Sequence, residues 1–239
     1  MKFSPHIFLF GLMTIGCGSS NAKPVQNSPE VREVKVSAEN QQSLFPFVEG
    51  NTWSFATEVV AESTNRPKQI MSGILEYKVA KVIQDSPTSK RAIIEVSSDG
   101  KKQDEQEWSS DEKGIFQISM KSPRVPFLPK QPVVRFPVKD QDTYRWEGTG
   151  LTPLGKQGSM RYAYKNDGMQ TVDTEMGQMN GMFLQTGGTF KATDGTVGQL
   201  IVNAWFSPGV GLVRYKQEIQ VKGGKSAITL RLKSYNVKK

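Results

Sequence analysis

The sequence has one histidine, His6, and one cysteine, Cys17, among its 239 residues. We expect residues 1–16 to be removed, which leaves a mature chain without any imidazole. That excludes catalysis by Ser-His-Asp or Cys-His arrangements and every zinc site that needs histidine ligands. A single cysteine also rules out a disulfide framework.

The sequence also has no Gly-rich phosphate-binding pattern such as GxGxxG or a P-loop. Acidic residues lie close together at Asp104, Glu105 and Glu107, and again at Asp173 and Glu175, so a carboxylate-based hydrolase is formally possible. We interpret these groups as solvated surface charges. The sequence therefore predicts a protein that is not an enzyme and that needs no cofactor.

The N-terminal residues follow the plan of an exported lipoprotein signal. An apolar stretch, Ile7–Met13, is followed by Gly16 and Cys17 in a pattern that resembles a lipobox. We predict a signal peptide over residues 1–16 and a lipidated Cys17; cleavage near Ala22 and an uncleaved buried segment are the alternatives. The apolar stretch is much shorter than the ~20 residues that span a bilayer. Two or more acyl chains, palmitate among them, would instead anchor the protein stably at Cys17.

The residues after Cys17 indicate a location and a domain boundary. Gly18, with no aspartate beside it, is typical of outer-membrane lipoproteins that face the periplasm, if the organism has two membranes. Residues 17–43 are polar and contain Pro, Ser, Asn and Gln, which predicts a flexible tether that separates domain from membrane by roughly 25–30 Å. Residues 44–239 are predicted to form a single β-rich domain.

The formal net charge is +8, but the basic residues are scattered and do not form a block. This distribution argues against nucleic-acid binding. Attraction to anionic lipid head groups or acidic wall polymers is a secondary interpretation of the charge.

The predicted fold class is mainly β. Apolar and polar residues alternate in runs such as Tyr144–Glu147 and Ile228–Lys233, the pattern of half-buried antiparallel strands. About eleven such strands predict one large curved antiparallel sheet or an incomplete barrel, with a sandwich as the alternative. The segment Pro123–Pro137 contains five prolines, so we predict an edge or crossover loop there. Five dipeptides predict tight turns: Asp99-Gly100, Asp167-Gly168, Asn180-Gly181, Asp194-Gly195 and Gly223-Gly224.

One metal motif is present. Met176, Met179 and Met182 are spaced three residues apart, and thioether ligands suit Cu(I) or Ag(I). The alternative is that Asn180-Gly181 forms a hairpin turn while Met182 packs into the sheet.

Three stretches together resemble a group of uncharacterised bacterial envelope lipoproteins and secreted β-rich proteins. They are the opening FPFVEGNTW (45–53), the mid-domain NGMF (180–183) and the closing WFSPGVGLV (205–213). The resemblance implies an antiparallel β-rich envelope domain and no agreed activity.

Several residues of these motifs have a structural interpretation. Trp53 and Trp205 are predicted to be apolar anchors of the core. Pro208, Gly209 and Gly211 are predicted to form a tight corner between two strands.

We therefore expect a non-enzymatic envelope lipoprotein, held to the membrane at Cys17, whose β domain binds a partner protein or a cell-wall component. The alternative is a carrier or sensor of lipids or other amphiphiles. In that case a curved sheet would enclose an apolar cavity lined by residues such as Phe116, Ile118, Met120, Tyr162 and Tyr164.

Overall fold

The structure is a computed structural model, and it describes residues 42–64, 66–120 and 124–238. The predicted signal peptide, the lipidation site Cys17 and nearly all of the predicted tether lie outside these ranges. Within them, no helix has the length and hydropathy to cross a bilayer.

Twelve antiparallel strands form one closed barrel. A short 3-10 turn, Gln42–Leu44, precedes them. The strands are β1 Thr52–Ser63, β2 Arg66–Ser86, β3 Ser89–Ser98, β4 Lys101–Asp111, β5 Gly114–Met120, β6 Val125–Arg135, β7 Thr143–Leu151, β8 Gln157–Thr174, β9 Gly177–Ala192, β10 Val197–Ser207, β11 Gly211–Val221 and β12 Gly224–Asn236.

The predicted fold class, mainly β with one large antiparallel sheet, is confirmed. The sheet differs from the prediction in being fully closed and in having twelve strands. Closure comes from pairing of the first strand with the last, from Thr52 opposite Asn236 to Ser63 opposite Gly224. This pairing leaves neither β1 nor β12 as a free edge of the sheet.

Alternation along the strands builds the interior as predicted. In β12, Leu230 and Leu232 are buried, whereas Lys233 is exposed. In β8, Met160 and Tyr162 are buried and Arg161 between them is exposed. The inward residues of the barrel therefore form a continuous apolar core.

Two of the five predicted turns are wrong. Asp167-Gly168 lies inside β8, where it forms a bulge opposite β9, and Asn180-Gly181 lies inside β9. The chain turns instead at Glu175 and Met176. The bulge is held by Asn166, whose Nδ2 donates to Lys139 O at 2.6 Å and whose Oδ1 accepts from Gly168 N at 3.2 Å.

The proline-rich segment forms a strand, β6, with few partners on one side. It pairs with β5 through two register shifts, and with β7 at one position only, Leu128 opposite Thr149. Pro126, Pro129 and Pro132 have no N–H to donate to a neighbour. The prediction was an edge or a crossover loop; the segment is a strand, and its weakly hydrogen-bonded β6–β7 junction makes it similar to an edge.

Residues 42–51 cover one end of the barrel, where β1 begins and β12 ends. Phe45 is buried there and stacks on Trp108 at 4.9 Å and against Trp53 at 5.0 Å between ring centroids. Gly209 N donates to Ser43 O at 3.0 Å. We refer to this end as the closed end. The domain therefore begins slightly earlier than residue 44, because residues 42 and 43 already belong to this cover.

Candidate functional site

The barrel encloses a cavity of about 250 Å³. Residues of two apolar clusters line the cavity. The first cluster includes Phe45 and Trp53 and packs at the closed end, and the second includes Phe127 and Met160. The apolar lining includes Val59, Leu75, Trp108, Met120, Phe127, Leu151, Met160, Leu184, Leu200, Ala204, Phe206, Leu212, Ile228 and Leu230. The barrel interior is therefore not completely filled by its own side chains.

The cavity reaches the surface at the end opposite the closed end. Its lining there includes Ser72 and Asp99, which are both exposed. Gly73 and Thr57 are paired across β1 and β2 at the same level. The Thr57 Oγ1 atom lines this region, is shielded from solvent and has no hydrogen-bond partner. We refer to these four residues as the mouth.

Glutamine and tyrosine side chains supply the polar part of the lining. Gln106 Oε1 accepts from Trp108 Nε1 at 3.0 Å and from Gln117 Nε2 at 3.2 Å. Two further glutamine–tyrosine pairs lie in the cavity wall. Gln131 Nε2 donates to Tyr164 OH at 3.3 Å, and Tyr215 OH donates to Gln217 Oε1 at 2.6 Å.

The lining is almost free of charge. Among its described residues there is no lysine or arginine, and Asp99 at the mouth is the one carboxylate. Burial raises the pKa of Tyr77 to about 12, and the Asp104 carboxylate adds to the shift. Burial likewise raises the pKa of Tyr162 and Tyr215 well above 10. The phenols therefore stay neutral at physiological pH, and the interior offers hydrogen bonds without charge.

Three of the five residues predicted to line a cavity do so, namely Met120, Tyr162 and Tyr164. Phe116 and Ile118 do not. Phe116 instead lies beneath the Lys130 ammonium, 3.8 Å from its ring centroid. The register of β5 shifts between Gln117 and Ser119, so a strict alternation gives the wrong phase for this strand.

The glutamines of the lining were not predicted as site residues. A polar side chain in an alternating strand is normally assigned to the outer face, and Gln106, Gln117 and Gln131 lie next to bulges or prolines that change the phase. The neighbouring Trp108 and Val133 give no local signal of which face the amides occupy.

Trp53 has the predicted role of a core anchor. It is 1% exposed, and its Nε1 donates to Val210 O at 2.6 Å. Pro208 and Gly209 form the predicted corner between β10 and β11. Gly211 has a φ of +106°, and a Cβ on it would lie 3.2 Å from Trp53 Nε1. The corner and the Trp53 ring are therefore fitted to each other.

Trp205 is not a core anchor of the same kind. It is half-buried between the inward-facing Ala204 and Phe206. Its ring stacks on Phe183 with centroids 4.6 Å apart, and the Arg214 guanidinium lies 5.7 Å from it. The core position in this motif belongs to Phe206, which is 2% exposed.

The three methionines of the proposed copper array lie in different environments. Met176 is 50% exposed in the β8–β9 turn, whereas Met182 is fully buried in the core. Met179 is partly buried against that core. This placement favours packing as the role of Met182. In the described part of the chain, no cluster of three His, Cys, Asp or Glu side chains could hold a metal ion.

The acidic group of β4 is largely neutralised by neighbouring cations. Glu105 pairs with Arg124 at 2.8 Å and with Lys102 at 3.1 Å. Glu107 pairs with Arg91 at 2.8 Å and with Arg124 at 3.1 Å. Hydrogen bonds from Arg124 and Lys102 lower the pKa of Glu105. Neither glutamate is part of the cavity lining.

The sequence matches no protein-family model and no curated protein. Two solved structures are similar in fold. A candidate lipoprotein from Parabacteroides distasonis ATCC 8503 is 12% identical, with a TM-score of 0.47, over 81% of this chain and 98% of its own. A candidate exported protein with a YmcC-like fold from Bacteroides fragilis NCTC 9343 is also 12% identical, with a TM-score of 0.42, over 80% and 98%. At these values, neither likeness bears on function.

Proposed function

We propose that this protein is a lipid-anchored protein of the bacterial cell envelope whose barrel binds a small apolar or amphipathic molecule in its interior. The observation that carries the proposal is the cavity of about 250 Å³ with a mainly apolar lining. Ligand sites are typically concave, mostly apolar and equipped with a few placed polar groups. The glutamine and tyrosine pairs supply such groups.

Carrier or sensor function takes precedence over the adaptor function that the sequence first suggested. An adaptor would bind a partner protein or wall component through its outer surface and would have no need for an interior space. Close packing is the normal state of protein interiors. An unfilled interior with a mouth is therefore better explained by a guest than by a docking role.

The membrane anchor is part of the same proposal. It depends on Cys17, the single cysteine in the chain, which follows an apolar stretch. Metabolic labelling with a palmitate analogue should mark the wild-type protein and leave a Cys17→Ser variant unmarked. Equal labelling of both would refute anchoring at this residue.

Binding can be tested with a neutral fluorescent amphiphile, N-phenyl-1-naphthylamine. The mature chain, residues 17–239, with Cys17→Ser is suited to the assay, because without acyl chains and without the apolar stretch Ile7–Met13 it should need no detergent, which would compete for the cavity. A Gly73→Leu variant should place a side chain in the mouth. The nearest atoms to a Cβ there are the Asp99 carboxylate oxygens at 3.8 Å and 3.9 Å, which is ordinary contact.

Gly187→Leu is the matched control. Gly187 also lies in a strand, its Cβ would meet nothing closer than 4.0 Å, and it is not part of the cavity lining. We expect probe binding by the parent and by Gly187→Leu, and binding weaker by about tenfold or more in Gly73→Leu, a change of about 1.4 kcal/mol. No probe binding by the parent, or equal weakening in both variants, would refute the interior site.

A further inference from the structure

We propose that the cavity selects an uncharged amphiphile and that Gln117, Gln131 and Gln217 hold its polar head. This inference rests on the proposed function, because it specifies what the same cavity accepts.

The first step is charge. An ion inside the cavity would leave water and would find no fixed counter-charge of the kind that offsets burial. For an anion, the described lining has no lysine or arginine, and the Asp99 carboxylate at the mouth repels it. For a cation, Asp99 is the one carboxylate of the described lining, and it is exposed rather than inside; the buried Asp104 carboxylate near Tyr77 is not part of the lining. A neutral guest avoids both the desolvation of an ion and the lack of a counter-charge.

The second step is hydrogen bonding. Each of the three glutamines uses one end of its amide within the wall. Gln117 and Gln131 donate through Nε2 to Gln106 and Tyr164. Their Oε1 atoms receive no hydrogen bond from the described residues.

Gln217 is used in the opposite sense. Its Oε1 accepts from Tyr215 OH at 2.6 Å, so its Nε2 group keeps its donors. The cavity thus offers two amide oxygens, of Gln117 and Gln131, and one amide nitrogen, of Gln217, that have no partner among the described residues. A head that both donates and accepts, such as a hydroxyl or a carboxamide, matches this set. Unmatched, these groups weaken the binding of a purely hydrocarbon guest.

The third step is size. A volume of about 250 Å³ corresponds to about eight water volumes at ~30 Å³ each. The cavity therefore has room for a guest of at least about that many non-hydrogen atoms. We use 1-octanol as the probe, and octanoate, octylammonium and n-octane as probes that differ from it in one property each.

The test is competition of these probes against N-phenyl-1-naphthylamine on the mature chain, residues 17–239, with Cys17→Ser. We expect 1-octanol to bind at least about tenfold more tightly than octanoate or octylammonium, and more tightly than n-octane. Octanoate or octylammonium binding as well as 1-octanol would overturn the inference and leave the proposed function intact. If neither the naphthylamine nor any other probe binds, the proposed function itself fails.

The role of the glutamines has its own readout. Gln117→Leu and Gln131→Leu should each narrow the preference for 1-octanol over n-octane by about fivefold, about the loss of one hydrogen bond. Gln185→Leu, an exposed position in β9 outside the lining, should leave the preference unchanged. We use two interior variants so that the test can still be made if one of them does not fold. A preference unchanged in the folded interior variants would overturn this part of the inference.

Discussion

The two tryptophans of the opening and closing motifs should differ sharply in their contribution to stability. Trp53 is buried at the closed end and donates a hydrogen bond of 2.6 Å to Val210 O. Trp205 is half-buried and stacks on Phe183, and its indole N–H makes no hydrogen bond with the described residues. Replacing each with phenylalanine makes the same chemical change in two different environments.

The expected cost follows from what each substitution removes. Trp53→Phe leaves the Val210 carbonyl without its donor, which costs about 1–3 kcal/mol. It also leaves a void of roughly one methyl group or more, at about 1 kcal/mol. We therefore expect the free energy of unfolding to fall by about 2–4 kcal/mol. Trp205→Phe keeps the aromatic stack and leaves no acceptor unpaired, so its cost should stay below about 1 kcal/mol.

Urea unfolding followed by far-UV circular dichroism measures both values. Tryptophan fluorescence is unsuitable because each variant removes an indole. A comparison of midpoints is valid if the denaturant slope is unchanged. Equal costs for the two variants, or a larger cost for Trp205→Phe, would refute the assignment of Trp53 as the anchor of the closed end.

Three further predictions follow from the fold. Gly211→Ala should destabilise the protein by about 2 kcal/mol or more in the same urea assay, because its φ is +106° and the new methyl group would crowd Trp53. Gly209→Ala is the matched control: its φ is +74° and there is open space around it, so it should cost only about 1 kcal/mol. Tyr77 should contribute about 2–3 kcal/mol to a fall in stability between about pH 10 and pH 12, because it loses its proton near pH 10 when unfolded but only near pH 12 when folded, so the unfolded state binds fewer protons in that window. Tyr162 and Tyr215 add to the fall, and Tyr77→Phe should reduce it by about the Tyr77 share in thermal unfolding. Hydrogen exchange measured by mass spectrometry should be fastest where β7 faces β6, because the two strands share one registered pair; protection equal to that of the β8–β9 pair would contradict this.

The fold class could be predicted because it is a local property of each strand. The alternation of Leu230 and Leu232 with the polar Lys233 indicates which face of the strand is buried. Closure could not be predicted, since it depends on pairing between β1 and β12, which lie at opposite ends of the domain in sequence. The first half of β6 was not predicted as a strand, because its prolines indicate an edge or a loop by local rules.

Turn dipeptides and strand phase were the weaker signals. Asp167-Gly168 has the composition of a hairpin turn, but the Asn166 contact with Lys139 stabilises a bulge there instead. Bulges in β4 and β5 bring Gln106 and Gln117 inward. The sequence therefore did not predict the glutamines of the candidate site. It did predict Tyr162 and Tyr164, because they follow the regular alternation of β8.

The closed end and the mouth together constrain how a tether could act. The described chain starts at Gln42, and residues 42–51 belong to the cover of the closed end, with Phe45 packed between Trp53 and Trp108. A tether that joins the barrel at Gln42 therefore leaves from the end opposite the mouth. Pulling or shortening it acts on the best-packed part of the barrel and not on the opening beside Asp99. Under the proposed function, an anchor at Cys17 would hold the protein at a membrane while the mouth stays free to exchange a guest.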